Sequence, residues 1–299
     1  MNAKTPVTFI IFNRPDTTEK VFEEIRRARP PKLLVVADGP RSDRPGEAEK
    51  CAAARAIIEQ VDWPCEVLKN YSETNLGCKQ RVSSGLDWVF QTVEEAIILE
   101  DDCLPHPTFF KYCEELLTFY RANPQVMHIS GDNFLFGKEA SRESYYFSKY
   151  AHVWGWATWR RAWTLFQKWD LDHPQPDLSI FRSNSEKKFW SKIYQQVRSN
   201  DLKYTWDYQW SLVCMAYRSV CVMPNANLVS NIGFGITATN TKEDSNLANI
   251  PAHGMEFPLI HAKTLEWNNK ADEQVARLYF YAPSHSILKK IKSVLVDWI

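Results

Sequence analysis

The sequence predicts an α/β protein with a mainly parallel sheet that carries helices on both faces. Within the first 120 residues, four short apolar runs alternate with segments of helical periodicity, the pattern of βαβ units. Three of these runs end in polar or acidic residues. Ligands of such sheets bind beyond the carboxyl ends of the strands, so these residues are the first candidates for a site.

The first strand is VTFIIF, and Asn13 and Arg14 follow it directly. Asp16 opens an Asp-Thr-Thr-Glu stretch, which predicts an N-cap for the next helix. KLLVVADG is the second apolar run and ends at Asp38. Residues 47–60 have the composition of a further helix.

Residues 66–71 form a weaker third strand. From Cys78 onward, apolar residues recur at helical spacing, and EAIILEDD then supplies the fourth strand. Residues 109–120 carry the apolar face of the helix that follows. Right-handed crossovers would bring the ends of all four strands to one edge of the sheet.

The regular alternation of predicted strands and helices ends near residue 126. VMHISG and YYFSKY are predicted strands, and WGWATW lies between the second of them and a helix that begins near Arg160. Helices are predicted over 186–200 and from Trp206, and VCVMPNANLVSNIGFG is extended and rich in turns. No internal repeat occurs, so this half is expected to extend the same sheet.

We therefore predict one domain over 1–245, with a nucleotide-binding half at 1–102 and an acceptor half at 103–245. Residues 246–299 form a tail. Its last segment, SILKKIKSVLVDWI, has one apolar stripe with lysines elsewhere, which predicts an amphipathic helix near 285–299. That helix either docks on the body of the protein or contacts a membrane surface or a partner groove.

Composition excludes several classes of protein. Lys plus Arg equals Asp plus Glu at 36 each, which offers no general attraction to nucleic acid. The seven cysteines are scattered without a C-x-x-C pair, so neither a zinc site nor a disulfide framework is predicted. No segment approaches a transmembrane length. A cytoplasmic protein is expected, with peripheral contact at the inner face of a membrane as a further expectation.

The acidic run Glu100, Asp101 and Asp102 follows the fourth strand. It is either a solvated loop, the usual fate of a charge run, or a site for a hard divalent cation shared with phosphate oxygens. Its position at a strand end favours Mn²⁺ or Mg²⁺ bridging a diphosphate. The chain has no P-loop, and no G-x-G-x-x-G follows the first strand.

These features resemble the GT-A glycosyltransferases. EDDCLPHPTFFKYCEELLTFYRANPQVMHISGDNF is similar to a region of N-acetylglucosaminyltransferase I and of bacterial family 2 glycosyltransferases. The likeness continues through YYFSKYAHVWGWATWRRAW and TWDYQW to NIGFG, and spans most of residues 6–240. It implies a GT-A fold and metal-dependent, inverting transfer from a nucleotide-diphosphate sugar, with UDP as the default nucleotide. A glycan or a lipid-linked intermediate would be the acceptor.

The resemblance also implies roles for individual residues. Asp102 would be the metal ligand, and Glu100 and Asp101 would face the ribose and the donor sugar. The remaining donor-side residues would contact the nucleotide and its phosphates: Asn13, Arg14, Asp38, Lys79 and Arg81. For Lys79 and Arg81 the alternative is an ordinary solvent-exposed place on a helix.

Asp207 matches the general base of the family, which would take the proton of the acceptor hydroxyl. The alternative is a carboxylate that caps the helix from Trp206. The donor-sugar and acceptor side would be lined by Asp132, Asn133, Trp154, Gly155 and Trp156. Any single tryptophan is more often part of a core.

One position departs from the family pattern. Asn240 stands where relatives often carry a histidine that reaches the metal or phosphate. Three alternatives stay open: Asn240 substitutes for the histidine, His253 or His261 fills its place from the tail, or the metal dependence is weaker. Two other functions stay open: a nucleotidyltransferase, disfavoured because FNRPDTTEK has no glycine, and an inactive carbohydrate-binding protein on the same fold.

Overall fold

The protein is built on an eight-stranded mixed sheet. The computed structural model describes residues 3–169, 176–202, 205–234 and 249–279. The strands are β1 Val7–Ile11, β2 Lys32–Ala37, β3 Glu66–Tyr71, β4 Glu95–Glu100, β5 Cys103–Pro105, β6 Val126–Ser130, β7 Tyr145–Ser148, β8 Trp156–Trp159, β9 Val220–Pro224 and β10 Val229–Asn231. The order in the main sheet is β3-β2-β1-β4-β8-β6-β9-β7, and β5 pairs with β10 in a small second sheet.

The first four strands pair in parallel throughout, as the sequence predicts. Every residue of β1 is buried, because helices cover both faces of this part of the sheet. The α/β fold class is confirmed, and the architecture is consistent with a GT-A arrangement.

Eight α-helices in the described residues flank the sheet. They are α1 Pro15–Ala28, α2 Glu47–Ile57, α3 Cys78–Thr92, α4 Thr108–Tyr120, α5 Arg160–Gln167, α6 Asn184–Arg198, α7 Asp207–Ala216 and α8 Asn269–Tyr279. The predicted cap at Asp16 is wrong. The helix begins at Pro15, two residues earlier than a cap at Asp16 would place it, because proline is favoured in the first turn. Asp16 therefore lies inside that turn, and Arg14 takes the cap position.

The stretch WGWATW is partly a strand, which the sequence analysis placed only between two other elements. Residues 156–159 form β8, which runs antiparallel between β4 and β6. Its alternate side chains face opposite layers of core. Trp156 packs with Trp163 and Trp210 on one face, and Trp159 packs with the α4 side on the other. The second half of the chain therefore extends the same sheet.

A tail from residue 249 docks along the body. Asn268 donates its backbone N–H to the Phe147 carbonyl, and α8 is held by an ion pair between Lys149 and Asp272. The Nζ–carboxylate distance is 3.1 Å, and both side chains are at most 2% exposed. The helix predicted near 285–299 lies outside the described residues, and the division of the chain at 102 and 245 stays a prediction.

The cysteines agree with the absence of a disulfide framework, since all seven are free thiols. Among the described helices, none combines the length and the apolar character needed to cross a membrane.

Candidate active site

The polar strand ends meet at one edge of the sheet. β1, β2 and β4 are parallel, and β4 and β6 both run antiparallel to β8, so β6 points the same way. The segments after these four strands, together with the segment that precedes β8, therefore share the carboxyl edge. This is the edge at which sheets of this class bind ligands.

Arg14 links two carboxylates of the acidic run. Its guanidinium contacts Asp101 Oδ1 and lies 3.0 Å from Asp102 Oδ2. Asp101 is also fixed from the other side, because its Oδ2 accepts the Phe12 backbone N–H at 3.1 Å. Burial opposes the charge of Arg14, but the two carboxylates together raise its pKa. The acidic run is therefore an ordered, hydrogen-bonded cluster in which Arg14 supplies the counter-charge, and it is not a solvated loop.

One arginine does not neutralise this cluster. Burial, followed by the charges of Asp102 and Asp101, raises the pKa of Glu100 to about 8. Burial also raises the pKa of Asp101 even though Arg14 opposes this. Excess negative charge that is disfavoured in this way is what a bound cation would relieve.

The donor chemistry of the cluster fits a hard divalent cation. The described residues contain no ready-made group of three or more His, Cys, Asp or Glu side chains arranged to hold a metal. Mg²⁺ usually needs only one or two carboxylates, because waters and substrate phosphates complete its shell. Asp102 could be that ligand. A Cβ at Gly233 would collide with its Oδ2, so a larger residue there would force the Asp102 carboxylate to shift. Asn240 lies outside the described residues.

Asp207 is the first residue of α7 and lies near Glu100. Its charge is among those that raise the pKa of Glu100. Burial raises the pKa of Asp207 to about 6, although the backbone N–H groups of Asp207 and Tyr208 oppose this. Thr205 donates its hydroxyl to Asp207 Oδ1. The N-cap residue of this helix is Trp206, which makes no side-chain cap hydrogen bond. The Asp207 carboxylate does accept hydrogen bonds from the first backbone N–H groups of the helix, so its role at the helix start stays the alternative to its role as a base.

Asp38 is used to shape a loop. It is 1% exposed, and its carboxylate accepts the backbone N–H groups of Gly39, Leu76 and Gly77. These bonds hold the turn that leads into α3. The first residue of α3 is Cys78. Burial is the main cause that raises the pKa of its thiol, and the charges of nearby Glu100 and Asp207 raise it further. The predicted contact of Asp38 with a base or ribose stays a prediction.

The two cations predicted to meet the diphosphate bond to neighbouring loops. Arg81 is buried and donates to Asn70 Oδ1 at 2.6 Å. Lys79 Nζ donates to Asn200 Oδ1 and to the Leu202 carbonyl, both at 3.2 Å. The structure brings neither side chain into the acidic cluster, and their phosphate contacts stay predictions.

A network around Asn13 contains two residues that the sequence analysis missed. Asn13 donates to Glu47 Oε1 at 2.8 Å, and Glu47 accepts from both the backbone and the guanidinium of Arg41. Hydrogen bonds from Arg41 lower the pKa of Glu47 against the opposing effect of burial. Glu47 is 5% exposed, and the only sequence signal for it was its place at a helix start.

Aromatic side chains form a wall on the β8 side of the edge, and three of its members were missed. Phe234 follows Gly233 and packs against Trp154 with ring centroids 5.6 Å apart. Trp154 meets Phe134 at 4.9 Å, and Phe134 stacks on His152 at 4.6 Å. Two short motifs were the available sequence signals. HVW places His152 next to the predicted Trp154, and DNF places Phe134 next to the predicted Asp132 and Asn133. Such rings suit stacking on sugar C–H faces.

Asp132 is fully buried behind this wall. Its Oδ1 lies 2.8 Å from His152 Nδ1, and its Oδ2 accepts the Trp154 backbone N–H at 3.2 Å. Burial raises the pKa of Asp132, while His152 opposes that change. Asp132 therefore orients the wall from behind.

Three predicted acceptor-side residues, Trp156, Asn133 and Gly155, are buried within the protein, and their contacts with a sugar or an acceptor stay predictions. Trp156 is 1% exposed and stacks on Trp206 at 5.6 Å. Asn133 is buried and donates to the Pro224 carbonyl at 2.6 Å. Gly155 has φ +64, and a Cβ there would lie 2.7 Å from Val229 Cγ2, so it permits close packing within the protein.

Comparisons with known proteins add little to this geometry. No protein-family model and no curated protein matches the chain. Apo UDP-glucose pyrophosphorylase is similar at 10% identity and TM-score 0.38, covering 75% of this chain and 93% of its own. A 4-diphosphocytidyl-2C-methyl-D-erythritol synthase from Anaerococcus prevotii DSM 20548 has 12% identity and TM-score 0.31, with coverage of 63% and 84%. Mouse xyloside xylosyltransferase 1 has 10% sequence identity and a TM-score of 0.36, and the match covers 70% of this chain and 81% of that protein.

These TM-scores are too low to support an argument about this chain. The resemblance to N-acetylglucosaminyltransferase I stays a prediction from the sequence.

Proposed function

We propose that this protein is a metal-dependent, inverting glycosyltransferase that moves a sugar from a nucleotide-diphosphate sugar, with UDP as the first candidate nucleotide, to a hydroxyl group. The observation that supports the proposal is that Asp207 lies close enough to Glu100 for its charge to raise the pKa of that residue, next to the carboxylates that Arg14 links at the ligand-binding edge. An aromatic wall stands beside them. Each part supplies something that glycosyl transfer needs: a base, a cation site and a sugar platform.

Asp207 would act as the general base. Its carboxylate accepts the proton of the acceptor hydroxyl while that oxygen attacks the anomeric carbon. The bond from that carbon to the diphosphate breaks on the opposite face, so the configuration inverts. A pKa of about 6 leaves Asp207 ionised near neutral pH while keeping it a stronger base than an exposed carboxylate.

Asp102 would hold Mn²⁺ or Mg²⁺, which when bound neutralises the leaving diphosphate. Arg14 keeps Asp101 and Asp102 in place, and Asn13, held by Glu47, would meet the nucleotide. Trp154 and Phe234 would stack on the sugar. We further propose that the acceptor is a glycan or a lipid-linked molecule, and that the protein is cytoplasmic and contacts the membrane peripherally.

The first test is calorimetric titration of UDP, GDP, CMP and dTDP sugars with Mn²⁺, with Mg²⁺ and with EDTA. We expect one nucleotide to bind only with the cation and the Asp102→Ala variant to lose that binding. Asp207→Asn should keep donor binding and lose transfer and donor hydrolysis, because it removes only the base. If no nucleotide sugar binds under any condition, the proposal fails.

Nucleotidyl transfer is the second candidate, since the same acid-bound cation would serve it. It would convert a nucleoside triphosphate and a sugar phosphate into a nucleotide sugar and pyrophosphate. Pyrophosphate release from UTP with glucose 1-phosphate would favour that reaction over ours. If the wild type binds the donor but transfers no sugar, and Asp207→Asn binds the donor with the same affinity, the protein would instead be a carbohydrate-binding protein.

A further inference from the structure

A buried histidine in β6 joins two parts of the candidate site. His128 is fully buried and stacks on Trp156, with ring centroids 5.1 Å apart. Its Nδ1 lies 3.1 Å from Nε1 of Trp210, a residue of α7. Its Nε2 lies 2.7 Å from the backbone oxygen of His152, on the segment that leads into β8. The imidazole therefore forms a bridge, the His128 bridge, between α7 and the segment that carries part of the aromatic wall.

The partners of His128 fix its protonation state. An indole N–H can only donate, so Nδ1 must be an unprotonated acceptor. A carbonyl oxygen can only accept, so Nε2 must carry the hydrogen. A second proton would set the ring N–H against the indole N–H of Trp210. Burial also lowers the pKa of His128 to about 3, which keeps the ring neutral. His128 is thus a fixed link near neutral pH and does not exchange protons there.

The wall end of the bridge is held firmly. Ser130 Oγ lies 2.9 Å from Nε2 of His128 and donates to the His152 carbonyl at 2.8 Å. Asp132 Oδ1 lies 2.8 Å from His152 Nδ1. Residues two apart on an extended chain point to the same side, so three alternate residues all bond to His152. The ring of His152 in turn stacks on Phe134 of the wall.

The other end of the bridge lies close to the proposed base. Trp210 follows Asp207 by three residues within α7, which is nearly one helical turn. Because a helix moves as a rigid unit, the bond at Trp210 also restrains Asp207. At the wall end, Trp154 follows His152 by two residues. The His128 bridge therefore restrains the distance between Asp207 and the wall.

We propose that His128 is a positioning residue that holds Asp207 at a fixed distance from the aromatic wall. This inference rests on the proposed function, in which the wall seats the donor sugar and Asp207 activates the attacking oxygen. Displacement of a reacting group by about 1 Å can lower a rate by about 100-fold. A neutral imidazole with one tautomer suits the role, because its two hydrogen bonds stay the same across the working pH.

The first test removes only the α7 end of the bridge. Trp210→Phe deletes the indole N–H and keeps an aromatic ring in the core. The assay is hydrolysis, with Mn²⁺, of each of the UDP, GDP, CMP and dTDP sugars, because water then replaces the acceptor. We expect kcat to fall at least about tenfold, while calorimetric donor affinity stays within about twofold of the wild type. His128→Leu, which removes both bonds, should show the same division between kcat and affinity.

Trp159→Phe is the matched control. Trp159 is also buried and also loses one indole hydrogen bond, to the Leu117 carbonyl at 3.2 Å, but it packs on the other face of the sheet. It should lower thermal stability about as much as Trp210→Phe does and leave kcat unchanged. An equal fall of kcat in both variants, or an unchanged kcat in Trp210→Phe, would overturn the proposal.

Nitrogen NMR of isotope-labelled histidines tests the bridge without an activity assay. The signal of His128 is identified by its loss in His128→Leu. It should show an unprotonated Nδ1 and a protonated Nε2 between about pH 5 and 8, the range in which an ordinary histidine titrates. The other tautomer, or titration in this range, would overturn the proposal. A wild type that hydrolyses no donor, with the expected NMR signal, would instead refute the proposed function and with it the role of the bridge in catalysis.

Discussion

Replacing Glu100 by Gln should make the stability of the protein less sensitive to pH. Burial and the charges of Asp102 and Asp101 raise the folded-state pKa of Glu100 from 4.5 to about 8. Below the lower value the side chain is protonated in both the folded and the unfolded state. Between the two values the unfolded chain releases the proton and the folded protein keeps it, so rising pH lowers the free energy of unfolding.

The size of the effect follows from the two pKa values. Each pH unit above 4.5 costs the wild type about 1.4 kcal/mol relative to Glu100→Gln, hence about 3 kcal/mol at pH 7. The assay is urea denaturation of both proteins in EDTA across this pH range. A stability difference that stays constant with pH would refute the reasoning. Mn²⁺ bound at Asp102 should reduce the pH dependence of the wild type, because the cation favours the ionised form of Glu100.

Three further outcomes are expected. Asp272→Asn should lower the free energy of unfolding by about 3–5 kcal/mol in urea denaturation, because it leaves Lys149 buried without its counter-charge, and Lys149→Met with Asp272→Leu should recover most of it. Gly233→Ala should weaken calorimetric donor binding about tenfold or more by displacing Asp102, and unchanged affinity would contradict the assignment. Transfer activity should rise with pH around an apparent pKa of about 6, because Asp207 must be ionised, and a flat profile from pH 5 to 8 would exclude it as the base.

Much of the fold could be predicted from the sequence because local signals carry it. The parallel strands are continuous apolar runs, and the helices have clear periodicity, so their existence did not depend on distant contacts. The acidic cluster could be placed at the ligand edge for the same reason. Strand order could not be predicted, because pairing of β8 between β4 and β6 depends on contacts far apart in sequence.

The roles of individual side chains were harder to predict. Trp154 and Trp156 are two residues apart, yet one belongs to the wall and the other to the core. Their chemistry is identical, and only the direction of β8 and its neighbours separates them. Phe234 gave no sequence signal of its own, since it acquires its place through Trp154 on another segment.

The reversed direction of β8 has a consequence for how this protein could diversify. The acidic run follows the end of β4, whereas two members of the aromatic wall, His152 and Trp154, lie on the segment that leads into β8. The two halves of the site are therefore carried by separate connections. In the proposed transferase, insertions or substitutions before β8 would alter which sugar or hydroxyl compound is accepted while the carboxylates and Arg14 stay as they are. Under the proposed function, new specificities would not require the acidic cluster to be rebuilt.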